Sequence, residues 1–171
     1  MKGKTLVNIE IDKLTNSIEN VITGESFETE FSRVASIKEI KKADWVFDWY
    51  KELKSKKNDV YKMTTIENKH IIQGLVSLSV DEGFVFVNLV ENAKFNRGKE
   101  KVYSGVGGNL FAFACLKSKE LGFEGCISFL SKSSLFEYYS KSLGAIKTTG
   151  QRMVILEQEA DELIKQYFKN K

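Results

Sequence analysis

The sequence is poor in the residues from which reactive centres are most often assembled. It has one histidine, His70, and two cysteines, Cys115 and Cys126. The cysteines stand among apolar neighbours without Cys-x-x-Cys spacing, so reduced core thiols are expected rather than a disulfide or a zinc site. With a single histidine, no His/Cys/carboxylate set for a metal can be assembled. A thiol nucleophile needs an activating base, and the distant His70 is itself expected at the start of a strand in a structural or exposed role. Arginine is scarce too, at Arg33, Arg97 and Arg152. Nucleic-acid binders concentrate their cations on one face or segment. Here lysine alternates with Glu and Asp at a net charge of only +3. This pattern, the Lys54-Ser55-Lys56-Lys57 run included, reads as an ordinary solvated surface, and no nucleic-acid partner is expected. No apolar signal core opens the chain and no run approaches the ~18 apolar residues of a membrane span. A soluble, cytoplasmic protein is therefore expected. Proline is absent, and no functional reading attaches to that.

What is present argues for a packed globule. At 171 residues, 42% hydrophobic and 12% aromatic, the chain fits one domain over 1–171 with a substantial core. No repeat, low-complexity tract or linker divides it. Thr5-Leu6-Val7-Asn8-Ile9-Glu10-Ile11 alternates as an edge strand would, and residues 28–34 read as a second extended piece. Ser36 and Glu39 have capping-box spacing ahead of Ile40, Trp45, Val46, Phe47, Trp49, Tyr50 and Leu53. One amphipathic helix is therefore expected over 38–55, its aromatic face in the core. Three strands follow at 60–66, 70–80 and 84–90, joined by Glu67-Asn68-Lys69 and Asp81-Glu82-Gly83 into an antiparallel meander. Then come a helix over 108–121 stopped by Gly122, a buried strand at 125–130 and a helix over 133–143 stopped by Gly144. A hairpin across Gly150 and an amphipathic helix over 159–168 close the chain. Strand–helix–strand connections are parallel crossovers. The expected class is thus α/β (α+β), a mixed and mainly antiparallel sheet with one parallel pair, flanked by helices.

The most specific local signal is Val102-Tyr103-Ser104-Gly105-Val106-Gly107-Gly108-Asn109 running into Leu110-Phe111-Ala112-Phe113. A glycine turn feeding a helix is an anion cradle, because the first helical N–H groups lack intrahelical partners. A P-loop would need Lys-Ser/Thr after the last glycine, where Asn109-Leu110 stands. A dinucleotide turn would need a glycine at position 110, and the sheet upstream is antiparallel. Both are excluded.

The turn resembles the central motif of the GNAT N-acetyltransferase superfamily. Gly105 and Gly107 match its two glycines, Leu110 the leucine three residues on, and Leu121-Gly122-Phe123 the helix end. Phe136-Glu137-Tyr138-Tyr139-Ser140-Lys141-Ser142-Leu143-Gly144-Ala145 resembles the family's tyrosine-bearing helix, with one extra residue. The resemblance covers roughly 84–145, the expected coenzyme-binding core, and leaves 1–60 as a variable part. It implies acetyl-CoA as co-substrate, no metal, and acetyl transfer to a primary amine by direct attack. The alternative is an inactive coenzyme-binding or protein-interaction module of the same fold. By the same resemblance the strand ending at Val90 and the strand over 125–130 splay apart. Leu89 and Val90 would then pair with the pantetheine arm, residues 102–109 would hold the pyrophosphate, and the loop at Ser133 and Ser134 would lie near pantetheine or cap the helix. Val102 stands where the family prefers Gln or Arg, leaving Tyr103 or Lys101 to substitute. Tyr139, or Tyr138, would protonate the departing thiolate. Glu91, or a water, would take the amine proton. The acceptor has no signature in the chain, and neither has the oligomeric state. Asn96-Arg97-Gly98-Lys99 reads as an exposed loop.

Overall fold

The computed structural model describes residues 5–11 and 17–168. Period-two stretches rich in Val, Phe and Thr form nine described strands: β1 (Ser17–Asn20), β2 (Ser26–Arg33), β3 (Asp59–Thr65), β4 (Gly74–Asp81), β5 (Phe84–Asn92), β6 (Tyr103–Ser104), β7 (Ile127–Leu130), β8 (Ile146–Lys147) and β9 (Arg152–Ile155). They lie in the order β6-β1-β2-β3-β4-β5-β7-β9-β8. Every pairing is antiparallel except β5 with β7, the parallel pair. This is the expected mixed sheet.

Helix α2 (Val106–Glu120) makes the parallel crossover between β5 and β7. Its first half is almost wholly apolar because it is covered on two sides, by β4 and β5 and by α4 (Glu157–Tyr167). Phe111 packs edge-on to Phe129 of β7, and Phe113 stacks on Phe31 of β2 at 4.1 Å. Helix α3 (Phe136–Leu143) ends at Gly144, whose φ of 71° is a left-handed cap that a side chain would strain. A second, smaller core of Val34, Ile40, Trp49, Val60, Leu75 and Leu89 fills the opposite face of the sheet beneath α1 (Trp49–Lys54).

A bulge shapes the sheet's centre. Ser77 of β4 faces Leu89 and Leu78 faces Val87, so Asn88 is an extra residue on β5. Its side chain is tied to Ser79, Ser77 and Asn58. An inserted residue bends its strand and deepens the twist. Pairing of β5 with β7 is confined to Val85↔Ile127 and Phe86↔Ser128, and beyond the bulge the two strands part.

Three sequence expectations need correction. The helix over 38–55 is broken. The capping box of Ser36 and Glu39 is formed, but it opens only a 3-10 turn (Ile37–Glu39), followed by another at Lys42–Asp44. Helix α1 starts afresh at Trp49, where the Asp48 side chain accepts from the Lys51 N–H. Trp45, Trp49, Tyr50 and Leu53 still face the small core across the break, whereas Val46 and Phe47, expected there too, are exposed at the corner. His70 lies in a turn ahead of β4 and begins no strand. Residues 5–11 are not at the sheet's edge. They alternate as expected, with Val7, Ile9 and Ile11 buried and Asn8 and Glu10 exposed, and among the described residues they join the sheet by a parallel bridge from Val7 to Ser131.

Candidate active site

The candidate site is the gap where β5 and β7 part. On one wall Val90, Glu91 and Asn92 end β5; on the other Leu130 ends β7. At one end of the gap the glycine turn begins α2, and α3 brings Tyr138 and Tyr139 toward the gap. The 5–11 segment lies in the middle. The Val7 N–H donates to the Leu130 carbonyl at 2.6 Å. The Tyr139 hydroxyl accepts from the Ile9 N–H at 2.8 Å and donates to the Ile9 carbonyl at 2.9 Å. The Tyr138 hydroxyl accepts from the Ile11 N–H at 2.6 Å. Tyr139 is fully buried, its ring edge-on to Phe129 and tilted against Phe111. Burial, the main cause, pushes its hydroxyl up to about 12, outweighing the opposite pull of its bond to Ile9. It is therefore protonated at neutral pH, as a proton donor must be.

The glycine turn has the cradle form. Tyr103 and Ser104 pair with β1, Gly105 takes φ 96°, and the helix starts at Val106. Asn109 turns inward instead of toward a ligand, its amide donating to the Gly105 carbonyl at 2.8 Å and to the Ser17 carbonyl. Gly107 and Gly108 are needed for close approach. A Cβ on Gly107 would overlap the Glu10 carbonyl oxygen, and one on Gly108 would overlap the Tyr167 hydroxyl. The Glu10 carboxylate is ion-paired with Lys101 at 3.2 Å. These features fit the pyrophosphate of a coenzyme: an oxygen acceptor already rests against Gly107 at a helix N-terminus, with a lysine beside it. Of Lys101, Val102 and Tyr103, it is Lys101 whose side chain lies beside Glu10. The Val102 backbone is spent on Phe95 and Val21, and its side chain is partly exposed. Gly108→Ala should lower the unfolding free energy by about 1–3 kcal/mol through overpacking against Tyr167, read by urea denaturation.

Glu91 is placed differently from a free base. It is 4% exposed, and its two oxygens accept from the Val46 N–H at 2.8 Å, the Phe47 N–H at 3.2 Å and the Trp49 indole N–H at 2.8 Å. Arg97 lies 3.9 Å away. The carboxylate anchors the corner that breaks the expected helix, and three N–H donors occupy most of its acceptor capacity. Ser133 and Ser134 are exposed in a 3-10 turn ahead of α3, and neither caps that helix. The Leu89 side chain points to the small core, away from Val90.

Two residues at the site carried no sequence signal of their role. Asn96 is buried rather than looped out: its amide donates to the Gln73 carbonyl and side chain, and its oxygen accepts from the Tyr103 N–H at 3.1 Å. It thereby joins the approach to β4 with the strand that leads into the glycine turn. Asn92 lines a cleft of about 440 Å³ together with Asn8, Ile9 and Glu10, and its Oδ1 is buried without a hydrogen-bond partner. Among the described residues no group of three His, Cys, Asp or Glu side chains could hold a metal, and Cys115 and Cys126 are free thiols. No described helix is long and apolar enough to cross a membrane.

No family model and no curated protein matches the sequence. Solved structures do. One is AtaTR bound with AcCoA, 15% identical, covering 79% of this chain and 97% of its own, with a TM-score of 0.54. Another is a Bacillus subtilis acetyltransferase in complex with CoA, 13% identical over 75% and 98%, at 0.51. A third is a KacTA–DNA complex, 10% identical over 81% and 99%, at 0.55. At these identities the likeness is one of fold. The mainly antiparallel sheet, its single parallel pair parted by a bulge and the glycine turn at the head of the crossover helix together are the fold of the GNAT acetyltransferases.

Proposed function

We propose that this chain transfers an acetyl group from acetyl-CoA directly to a primary amine. The observation that supports this best is the buried, protonated Tyr139 hydroxyl in the gap between β5 and β7, with the Gly105 turn at the gap's end. Residues 105–108 and Lys101 would hold the pyrophosphate, and the parted edge of β5 at Leu89 and Val90 would face the pantetheine amides. The neutral amine attacks the thioester carbonyl carbon; a C–N bond forms and the C–S bond breaks. The sulfur takes the Tyr139 proton, and the proton lost by nitrogen restores it through water. Water is favoured over Glu91 as the first proton acceptor because the Glu91 oxygens already hold three N–H groups. Ser133 and Ser134, both exposed, are assigned at most the rim of the coenzyme site. The cleft beside Val46, Phe47 and Arg97 would receive the acceptor.

The test is a screen of amino acids, polyamines, aminoglycosides and peptides with acetyl-CoA, following thiol release. Acceptor-dependent release supports catalysis. Coenzyme binding without release from any acceptor points instead to the inactive module, and absence of coenzyme binding ends the reading at its first step.

A further inference from the structure

The 5–11 segment occupies the gap that the coenzyme needs. It touches the candidate site at the pyrophosphate end, at the reacting end and on β7. The Glu10 carbonyl rests against Gly107 and the Glu10 carboxylate engages Lys101, at the pyrophosphate end. The Ile9 peptide uses both the donor and the acceptor capacity of the Tyr139 hydroxyl, at the reacting end. The Val7 N–H takes the Leu130 carbonyl on the parted end of β7. Yet the segment is lightly fastened. Among the described residues its ladder contact is the bridge to Ser131, and two of its backbone N–H groups rely on side-chain hydroxyls. Weakly bonded backbone characterises the parts of a protein that open first, and the burial of Val7, Ile9 and Ile11 in the main core is what opening must overcome. The closed arrangement also carries a cost, since Asn92 Oδ1, in the adjoining acceptor cleft that Asn8, Ile9 and Glu10 help to line, is buried without a partner.

We propose that residues 5–11 are an intramolecular strap that fills the coenzyme cleft and leaves it when acetyl-CoA binds. This rests on the acetyl-CoA reading above. The strap makes the resting protein coenzyme-excluded, and the apparent affinity for coenzyme is the intrinsic affinity scaled by the open fraction. Glu10 acts as a stand-in for the pyrophosphate, offering one neutral and one charged oxygen to the same turn and lysine. Opening removes the strap's contacts with Tyr139, Lys101 and Gly107 together, so coenzyme binding and exposure of the catalytic hydroxyl are one event.

The full chain tests this by calorimetry with CoA and by amide hydrogen exchange with and without it, in the wild type, Glu10→Gln and Ile9→Asp. Glu10 is exposed enough to be replaced without unfolding the protein, and Ile9→Asp removes the strap's central apolar anchor. CoA should bind Ile9→Asp at least about tenfold more tightly than wild type, the open fraction being the factor lost. Glu10→Gln should gain roughly twofold to fivefold, the worth of a partly exposed ion pair. In the wild type the Val7, Ile9 and Ile11 amides should lose their protection at saturating CoA. Binding seen only in the variants would support the strap equally. Equal affinity in all three proteins, with those amides still protected when CoA is bound, overturns the strap and leaves the acetyl-CoA reading intact. Absence of binding in all three overturns both. If Ile9→Asp fails to fold, Glu10→Gln and the wild-type exchange data decide.

Discussion

Glu91→Ala is expected to lower the unfolding free energy by about 2–4 kcal/mol, one of the largest single-residue effects in this protein. The magnitude follows from what the carboxylate holds. The Trp49 indole N–H has no water to turn to, since Trp49 is 1% exposed in the small core. Losing its acceptor there incurs the full desolvation penalty of about 1–3 kcal/mol. The Val46 and Phe47 N–H groups belong to residues with exposed side chains. They can rehydrate and add less. Arg97, at 3.9 Å and partly exposed, adds little. Urea denaturation reads the effect as a lower midpoint at unchanged slope. The same variant separates two roles. If Glu91 were a general base with no anchoring duty, the midpoint would hold and only the rate would fall. Glu91→Gln sharpens the comparison, because it keeps one acceptor oxygen while turning an NH2 group toward N–H donors. Its midpoint should fall between wild type and Glu91→Ala.

Glu91 also marks where sequence reasoning stops. Its position at the end of a strand beside the gap was legible, because the strand pattern fixes where β5 ends. Its partners were not, for they lie 42 to 45 residues upstream and no local rule links them. The same carboxylate helps explain the broken helix: it binds the Val46 and Phe47 N–H groups in a corner, and Asp48 then starts α1. Periodicity correctly assigned Ile40, Trp45, Trp49, Tyr50 and Leu53 to a core; it missed the break, which turns Val46 and Phe47 outward.

The glycine turn was legible for the opposite reason. Its signals are local: a left-handed Gly105, a helix with an apolar first half and a terminating Gly122. The reason two of its glycines must be glycine was only half legible. The turn reads as an anion cradle, but the atoms that require Gly107 and Gly108 belong to Glu10 and Tyr167. The 5–11 segment shows the limit most clearly. Its alternation correctly gave an extended run with Val7, Ile9 and Ile11 inward. Alternation says which side chains are buried and not beside which strand. The partners that hold this run, the Tyr138 and Tyr139 hydroxyls, are 127 and 130 residues away.

Tyr139→Phe joins these threads, because it should move two quantities that an ordinary catalytic lesion would not separate. The variant loses the proton offered to the leaving sulfur. A thiolate leaves readily, with a parent pKa near 8.5, so the loss belongs at the low end of general-acid effects, about 10²-fold in kcat. The same hydroxyl also binds the N–H and C=O of Ile9 in the closed protein. Removing it orphans both groups where Tyr139 is fully buried, which weakens the closed state and leaves the open one untouched. Apparent CoA affinity should therefore rise while kcat falls. A tyrosine that merely packed the core would change neither in this way, and a tyrosine that bound coenzyme without closing the cleft would weaken affinity. Alkaline titration gives an independent readout of the same group. Its folded-state value of about 12 lies above the unfolded value near 10. The proton is thus held more tightly in the folded protein, so the associated stability is complete below pH 10 and is lost as the pH rises toward 12. Two units correspond to about 2–3 kcal/mol. Comparing wild type with Tyr139→Phe across that window cancels the lysines common to both, and the variant should lack this phase of destabilisation.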